Sequence, residues 1–198
     1  MEKGFSKTRI LVECAIMIAV ATVLSSIGKI YEAPLGGSVT LASMAPMIII
    51  SYRHGIKWGV EAALLYSLIQ LMLGLGSVAY VPTAIGIVLC VLLDYVIAFT
   101  LIGFCGIFKK PIKNEYVSVT VGTVAACLGR FVCHLLSGAV VWYEITKEGQ
   151  WNELVNRVGM WTYSLIYNAQ YMVPETIITV IATPLIYMVM KQIGKNRR

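Results

Sequence analysis

The sequence predicts an all-α, polytopic membrane protein with six transmembrane helices and both termini in the cytoplasm. Of the 198 residues, 58% are hydrophobic and only 13% are charged. Soluble domains are nearer to about 45–50% apolar and about 25% charged, so this composition excludes an ordinary soluble domain. The length suits a single integral membrane domain over residues 1–198. No small-residue cleavage signature follows the N-terminus, so we expect no processing.

Six apolar segments follow one another along the chain. They span residues 10–27, 41–52, 58–75, 82–108, 117–143 and 163–190. A helix needs about 20 residues to cross the hydrocarbon core. The second segment is short, so we expect it to be tilted, broken or extended by the loop at Gly36 and Gly37. The fourth and fifth segments are long enough to project beyond the bilayer.

The basic residues fall mainly on one side of these segments. Twelve of the 16 are Lys3, Lys7, Arg9, Arg53, Lys57, Lys109, Lys110, Lys113, Lys191, Lys195, Arg197 and Arg198. Lys29, Lys147 and Arg157 lie on the other side, and Arg130 lies within the fifth segment. The positive-inside rule therefore places both termini in the cytoplasm and favours an even number of spans. The net charge of +6 is thus a topology signal, and we expect no nucleic-acid partner.

The first segment carries two small residues at helical spacing. Ala15 and Ala19 form a small-xxx-small pair, which permits close contact with another helix, while Val23 replaces a third small residue. The five cysteines all lie in apolar stretches and form no CxxC motif, so we expect no disulfide, no metal site and no cofactor.

The fourth segment contains one charge. Asp94 is the only charged residue between Glu61 and Lys109. A charge at the centre of a membrane helix costs about 2.5–3.5 kcal/mol on insertion scales, so such residues usually have a function. Two interpretations are open, a structural ion pair with Arg130 and a counter-charge for a cationic ligand.

The fifth and sixth segments carry polar and aromatic stripes. Arg130, His134, Gly138 and Trp142 recur every four residues and so share one helix face. Tyr163, Tyr167 and Tyr171 form a similar stripe beside Asn168. With the predicted orientation, these groups and Asp94 meet in the outer half of the protein.

Each residue of these stripes also has a structural interpretation. Trp142 and the tyrosines suit an interfacial aromatic belt, His134 and Gly138 suit helix packing, and Asn168 suits an interhelical hydrogen bond. An acid, an imidazole, an amide and several aromatic rings at one depth together favour a binding site for a small molecule. The chemistry suggests a flat, hydrogen-bonding, cationic ligand, because aromatic faces and a carboxylate both attract a cation.

Three runs of residues resemble a known family. The runs LLDYVIAF, GRFVCHLLSGAVVW and YSLIYNAQYMVP are similar to the thiamine-specific S components of energy-coupling factor (ECF) vitamin transporters. The similarity extends from the first segment to Pro174. It implies a six-helix fold that binds thiamine near the extracellular surface of a prokaryotic plasma membrane. It also implies a transmembrane coupling subunit and two ATPase subunits as partners.

The resemblance also implies roles for particular residues. The family's ligand-binding positions fall on Asp94, Tyr95, His134, Gly138, Trp142, Tyr163 and Asn168. The acid is often Glu in the family, so the shorter Asp94 has less reach. Tyr31 is the nearest match to a further aromatic residue, and the loop from Gly28 to Thr40 would cover the site as a lid. Ala15 and Ala19 match the alanine pattern that docks onto the coupling subunit.

The chain lacks the motifs of an enzyme or an ATPase. It contains no GxxxxGK[ST] loop, so ATP hydrolysis would need separate subunits, and it contains no HExxH motif or serine elbow. We therefore expect a non-enzymatic subunit that captures thiamine. The alternatives are an S component for another vitamin or a thiamine precursor such as the hydroxymethyl-pyrimidine, and a stand-alone secondary transporter.

Overall fold

The computed structural model of the chain describes residues 6–34 and 36–196. Three of the basic residues that predict the orientation, Lys3, Arg197 and Arg198, lie outside these ranges. The predicted class, an all-α polytopic membrane protein, is confirmed.

Each of the six predicted apolar segments corresponds to a helix. The helices are α1 (Lys7–Ser26), α2 (Ala45–His54), α3 (Ile56–Leu73), α4 (Ala84–Lys109), α5 (Glu115–Glu148) and α6 (Met160–Asn196). A single turn, Leu75–Val78, follows α3, and a 3₁₀ turn, Glu153–Asn156, precedes α6.

The second helix differs from the others in length. Within the described residues, five helices, all except α2, are long and apolar enough to cross a membrane. The 10 residues of α2 span only about 15 Å. The crossing count of six and the cytoplasmic position of both termini therefore stay predictions.

Helix α2 lies at the centre of an apolar core. Pro46 occupies its first turn, where a missing backbone N–H costs nothing, and Gly55 ends it with a φ of 94°. Eight of its ten residues are buried. Ser51 accepts a hydrogen bond from the Gly106 N–H at 3.1 Å and donates one to the Gly103 carbonyl at 2.6 Å, which fastens α2 to α4. We call this region the α2 core.

The segment between α1 and α2 forms a hairpin instead of the expected loop. Strands β1 (Lys29–Glu32) and β2 (Ser38–Thr40) pair antiparallel, with Lys29 opposite Thr40 and Glu32 opposite Ser38. Two glycines with φ of 101° and 89°, Gly36 and Gly37, make the turn, a conformation that other residues rarely adopt. Hydropathy did not reveal these strands, because they are too short to show an alternating pattern.

Helices α4 and α5 each contain a π-helical stretch. These wider turns cover Val91–Val96 in α4 and Gly138–Trp142 in α5. Insertions of this kind change the direction of the side chains that follow, and they often occur at functional sites. Asp94 lies in the first stretch, and Gly138 and Trp142 lie in the second, so both wide turns border the same space.

Candidate binding site

A cavity of about 410 Å³ lies between the hairpin, the end of α1, and helices α3, α4, α5 and α6. Its volume is in the range of pockets that hold small organic molecules. All seven residues that the sequence predicts for the site line this cavity: Asp94, Tyr95, His134, Gly138, Trp142, Tyr163 and Asn168. Tertiary structure thus brings together residues that are up to 74 positions apart in sequence, from Asp94 to Asn168.

The carboxylate of Asp94 accepts hydrogen bonds from α5. Its Oδ2 atom accepts from the Ser137 hydroxyl at 2.6 Å and from the Trp142 indole N–H at 2.9 Å. Its Oδ1 atom lies 3.0 Å from Nδ1 of His134. Three groups on one helix therefore fix a carboxylate that belongs to another helix. These bonds hold the carboxylate in one orientation at the wall of the cavity.

A hydrogen bond from Arg130 determines which ring nitrogen of His134 carries the proton. Arg130 donates from Nε to Nε2 of His134 at 3.2 Å, and an arginine cannot act as an acceptor. Nε2 is therefore the acceptor of the ring, and Nδ1 carries the proton that points to Asp94. The neutral imidazole therefore lies between Asp94 and Arg130 and is hydrogen-bonded to both.

The ion pair between Asp94 and Arg130, one of the two interpretations of Asp94, is not formed directly. Within the described residues, the basic side chain that contacts Asp94 is the imidazole of His134, with Nδ1 3.0 Å from Oδ1. Arg130 instead lies over the Phe99 ring, 4.4 Å from its centroid, and its Nη1 atom lies 3.2 Å from the Met44 sulfur. Among the described residues, Nδ1 of His134 bonds the Oδ1 atom of Asp94, and a carboxylate oxygen can accept a further bond from a ligand.

The tyrosines of α6 form a continuous aromatic wall. Tyr163 and Tyr167 stack with their ring centroids 5.8 Å apart, and Tyr171 meets Tyr167 edge-on at 6.3 Å. Tyr171 also meets His134 edge-on at 6.1 Å. All three tyrosines line the cavity. Such a wall suits a flat ring or a cation, and it explains the spacing of four residues along the sixth segment.

Asn168 and Gly138 join α5 to α6. The amide of Asn168 donates to the His134 carbonyl at 3.1 Å and to the Ser164 hydroxyl at 3.1 Å, and its oxygen accepts from Tyr171 at 2.5 Å. A Cβ atom on Gly138 would lie 2.8 Å from the Asn168 amide nitrogen. The packing interpretations of both residues therefore hold in this geometry, although both also border the cavity.

The remaining predicted positions differ in their surroundings. Tyr95 is half-buried and donates from its hydroxyl to the Gly74 carbonyl at 3.2 Å, beyond the end of α3. Tyr163 is buried, and its hydroxyl bonds the Thr146 hydroxyl at 3.2 Å. Tyr31, the expected aromatic residue of the lid, is 44% exposed and is not among the described residues that line the cavity.

Sequence reasoning missed an acid in the sixth segment. Glu175 lines the cavity, is only 1% exposed and accepts from the Thr40 hydroxyl at 2.7 Å. The signal was present in the sequence, because Glu175 stands alone between Met172 and Val180 in an apolar stretch, as Asp94 does in its own. Hairpin residues that line the cavity, such as Lys29 and Glu32, gave no comparable signal.

Comparison with known proteins adds independent findings. Residues 11–195 match the family described as "Thiamine transporter protein" (Thia_YuaJ). The chain is 35% identical over 196 residues to the thiamine transporter ThiT of Bacillus subtilis, covering 94% of each chain. It is 24% identical over 160 residues to ThiT of Lacticaseibacillus paracasei, covering 76% of this chain and 73% of the relative.

A solved structure shares the fold. ThiT from Listeria monocytogenes superposes with a TM-score of 0.70 at 22% sequence identity, covering 94% of this chain and 97% of that one.

Proposed function

Because the chain belongs to the thiamine transporter protein family, we propose that it is the thiamine-capturing subunit of an ATP-driven ECF-type importer. It is a transporter and not an enzyme, and it is a multi-pass protein of the bacterial plasma membrane. The proposed ligand site is this cavity under the hairpin, which we place in the extracellular half of the helix bundle.

The charge balance of the cavity is the observation that carries this proposal. Lys29 and Glu32 form an ion pair at 2.6 Å, so their charges cancel at the exposed rim of the cavity. Deeper in, the charged side chains among the described lining residues are Asp94, Glu175 and Arg130. Among the described residues, the groups that bond the Asp94 carboxylate are a hydroxyl, an indole and an imidazole, and Arg130 bonds the imidazole instead of the carboxylate. A charge without a partner away from water is costly, so a monovalent cation is favoured over a neutral molecule. Thiamine carries one permanent positive charge on its thiazolium ring.

The lining residues suit the two rings of thiamine. Asp94 would balance the thiazolium, and Trp142 with the tyrosine wall would stack against the ligand. His134, Tyr163 and Asn168 would contact the aminopyrimidine, while Asn168 also holds the His134 backbone in place. Gly138 and Tyr95 complete the proposed set by shaping the wall of the cavity.

Partner subunits would supply the energy for transport. We propose that a transmembrane coupling subunit docks on α1 at Ala15 and Ala19, and that two ATPase subunits join it. Both alanines are exposed. Helix α1 is also the least buried candidate span, with 17% of its apolar window inside the protein against 50% for α5. Such a face accepts a second helix closely because small side chains let backbones approach.

A fluorescence titration tests the binding proposal directly. Purified protein in detergent is titrated with thiamine while tryptophan emission is followed, since Trp142 borders the cavity. A saturable quench at micromolar thiamine supports the proposal, and the absence of any saturable change contradicts it. Competition with hydroxymethyl-pyrimidine identifies a precursor-specific protein if the neutral compound binds more tightly than thiamine.

An uptake assay tests the partner proposal. Labelled thiamine is supplied to cells that express this chain alone or together with coupling and ATPase subunits. Uptake that requires all the subunits supports an ATP-driven complex. Equal accumulation by the chain alone would instead identify a secondary transporter. Mass spectrometry of the ligand released from denatured protein gives an independent identification of the bound molecule.

A further inference from the structure

We propose that Glu175 is a positioning residue that fastens the hairpin to α6 and so holds it over the ligand cavity. This inference rests on the proposed function, since it concerns how long a bound ligand stays. The residue is not among the positions that the resemblance or the site chemistry assigns to ligand contact.

Among the described residues, the hydrogen bonds of Glu175 come from the base of the hairpin. Its Oε1 atom accepts from the Thr40 hydroxyl at 2.7 Å, and its Oε2 atom accepts from the Thr40 backbone N–H at 2.5 Å. Thr40 is the last residue of β2 and pairs with Lys29 of β1. Both Glu175 and Thr40 are nearly inaccessible to solvent, at 1% and 3% exposure. A carboxylate on α6 therefore holds both strands through one residue.

The buried residues of the hairpin pack against α6. All four residues of β1 are exposed, whereas Val39 and Thr40 of β2 are buried. Ala33 and Val39 pack against Tyr171 and Met172 of α6. These contacts show that the hairpin and α6 form one packed unit.

A second attachment lies at the tip of the hairpin. The Tyr167 hydroxyl donates to the Gly36 carbonyl at 3.1 Å, and Gly37 lies so close to the Tyr171 ring that a Cβ atom would be 2.5 Å from it. Tyr167 and Tyr171 also belong to the aromatic wall of the cavity. The tip is thus fastened by neutral contacts and the base by a carboxylate. The base has two buried hydrogen bonds to one side chain and the tip has one, so Glu175 is the stronger attachment.

An acidic side chain that is buried away from water is costly unless hydrogen-bond partners satisfy it. A buried carboxylate loses its hydration, and Glu175 recovers it through two donors that both come from the hairpin. Movement of the hairpin away from α6 would therefore leave Glu175 without these two donors.

Ligand dissociation kinetics test this role. Glu175→Gln keeps the size of the side chain but removes its charge and replaces one acceptor with a donor. We expect the dissociation rate of thiamine, measured by stopped-flow tryptophan fluorescence, to rise about tenfold or more. The association rate should change far less, because the cavity wall is intact. Thr40→Val removes only the hydroxyl donor and should give a smaller increase, and the double variant should be no faster than Glu175→Gln.

A matched control comes from the next turn of α6. Thr179 is fully buried, and its hydroxyl has no hydrogen-bond partner among the described residues. Thr179→Val should leave both rate constants unchanged. A purely structural Glu175 would lower the unfolding temperature of Glu175→Gln without changing dissociation, and that result would overturn the proposal. If Glu175→Gln does not fold, an unchanged dissociation rate in Thr40→Val overturns it equally.

The two proposals fail in different ways. If wild-type protein shows no saturable thiamine binding, the proposed function is wrong. If wild-type protein binds thiamine but Glu175→Gln and Thr40→Val release it at the wild-type rate, only the role of Glu175 is wrong.

Discussion

The α2 core and the cavity both enclose polar groups, but they satisfy them differently. In the α2 core the Ser51 hydroxyl bonds α4 backbone, and the Tyr52 hydroxyl donates to the Ser118 carbonyl at 2.6 Å. Each partner is supplied by the protein. In the cavity, Asp94 keeps acceptor capacity that faces open space, and its bonds come from one side. The comparison indicates that the α2 core mainly stabilises the fold. In the cavity, a carboxylate with unused acceptor capacity lowers the stability of the empty protein but can bind a ligand.

The largest expected effect concerns the carboxylate of the cavity. Asp94→Asn removes the proposed counter-charge and places an amide donor against the donors of Ser137 and Trp142. Loss of one partner of a buried charge pair costs about 2–5 kcal/mol, so thiamine affinity should fall about 30-fold or more. Isothermal titration calorimetry gives the affinity. Binding of a neutral pyrimidine, if present, should be less affected, and an equal loss for both ligands would contradict the counter-charge role.

The second prediction addresses the α2 core side of the comparison. A Cβ atom on Gly103 would lie 2.5 Å from the Gly59 carbonyl oxygen, so Gly103→Ala must push α3 and α4 apart. Overpacking of this kind costs about 1–3 kcal/mol of stability. The unfolding temperature in detergent should fall, while folded protein should bind thiamine with nearly unchanged affinity. Gly76→Ala is the control, since a Cβ atom there meets nothing within 4 Å.

The third prediction separates stacking from hydrogen bonding at Trp142. Trp142→Phe keeps an aromatic ring but removes the indole N–H that donates to Asp94 at 2.9 Å. A hydrogen bond to a charged group contributes about 1.5–3 kcal/mol, so we expect affinity to fall about tenfold. Competition binding with labelled thiamine measures this without relying on tryptophan emission. An unchanged affinity would mean that Trp142 does not position Asp94.

The smallest expected effect is again in the α2 core. Tyr52→Phe removes a buried hydroxyl that donates to the Ser118 carbonyl and accepts from the Ser118 hydroxyl at 3.3 Å. The cost should be about 1 kcal/mol of stability, with no change in thiamine affinity. Thermal unfolding and calorimetry on the same sample check both parts. A clear loss of affinity in Tyr52→Phe would show that the two regions are coupled and would remove the contrast between them.

Several parts of the candidate site could be predicted from sequence because they are periodic. The spacing of four residues from Arg130 to Trp142 and from Tyr163 to Tyr171 places each set on one helix face. Asp94 was recognisable as an isolated charge in an apolar segment. Glu175 carried the same signal and was missed. The contribution of Thr40 gave no signal, because a threonine near a loop has no distinctive periodicity.

The sequence by itself determined the membrane class, the approximate limits of the helices and the family, because these depend on hydropathy, local periodicity and short runs of residues. Only the tertiary structure decided which partner Asp94 has. It bonds His134, Ser137 and Trp142, and Arg130 reaches it only through the imidazole. The structure also showed that the segment after α1 is a hairpin fastened to Glu175, about 135 residues away in sequence. The physical reason is that helix formation follows local spacing, whereas the pairing of polar groups depends on which faces of distant helices meet.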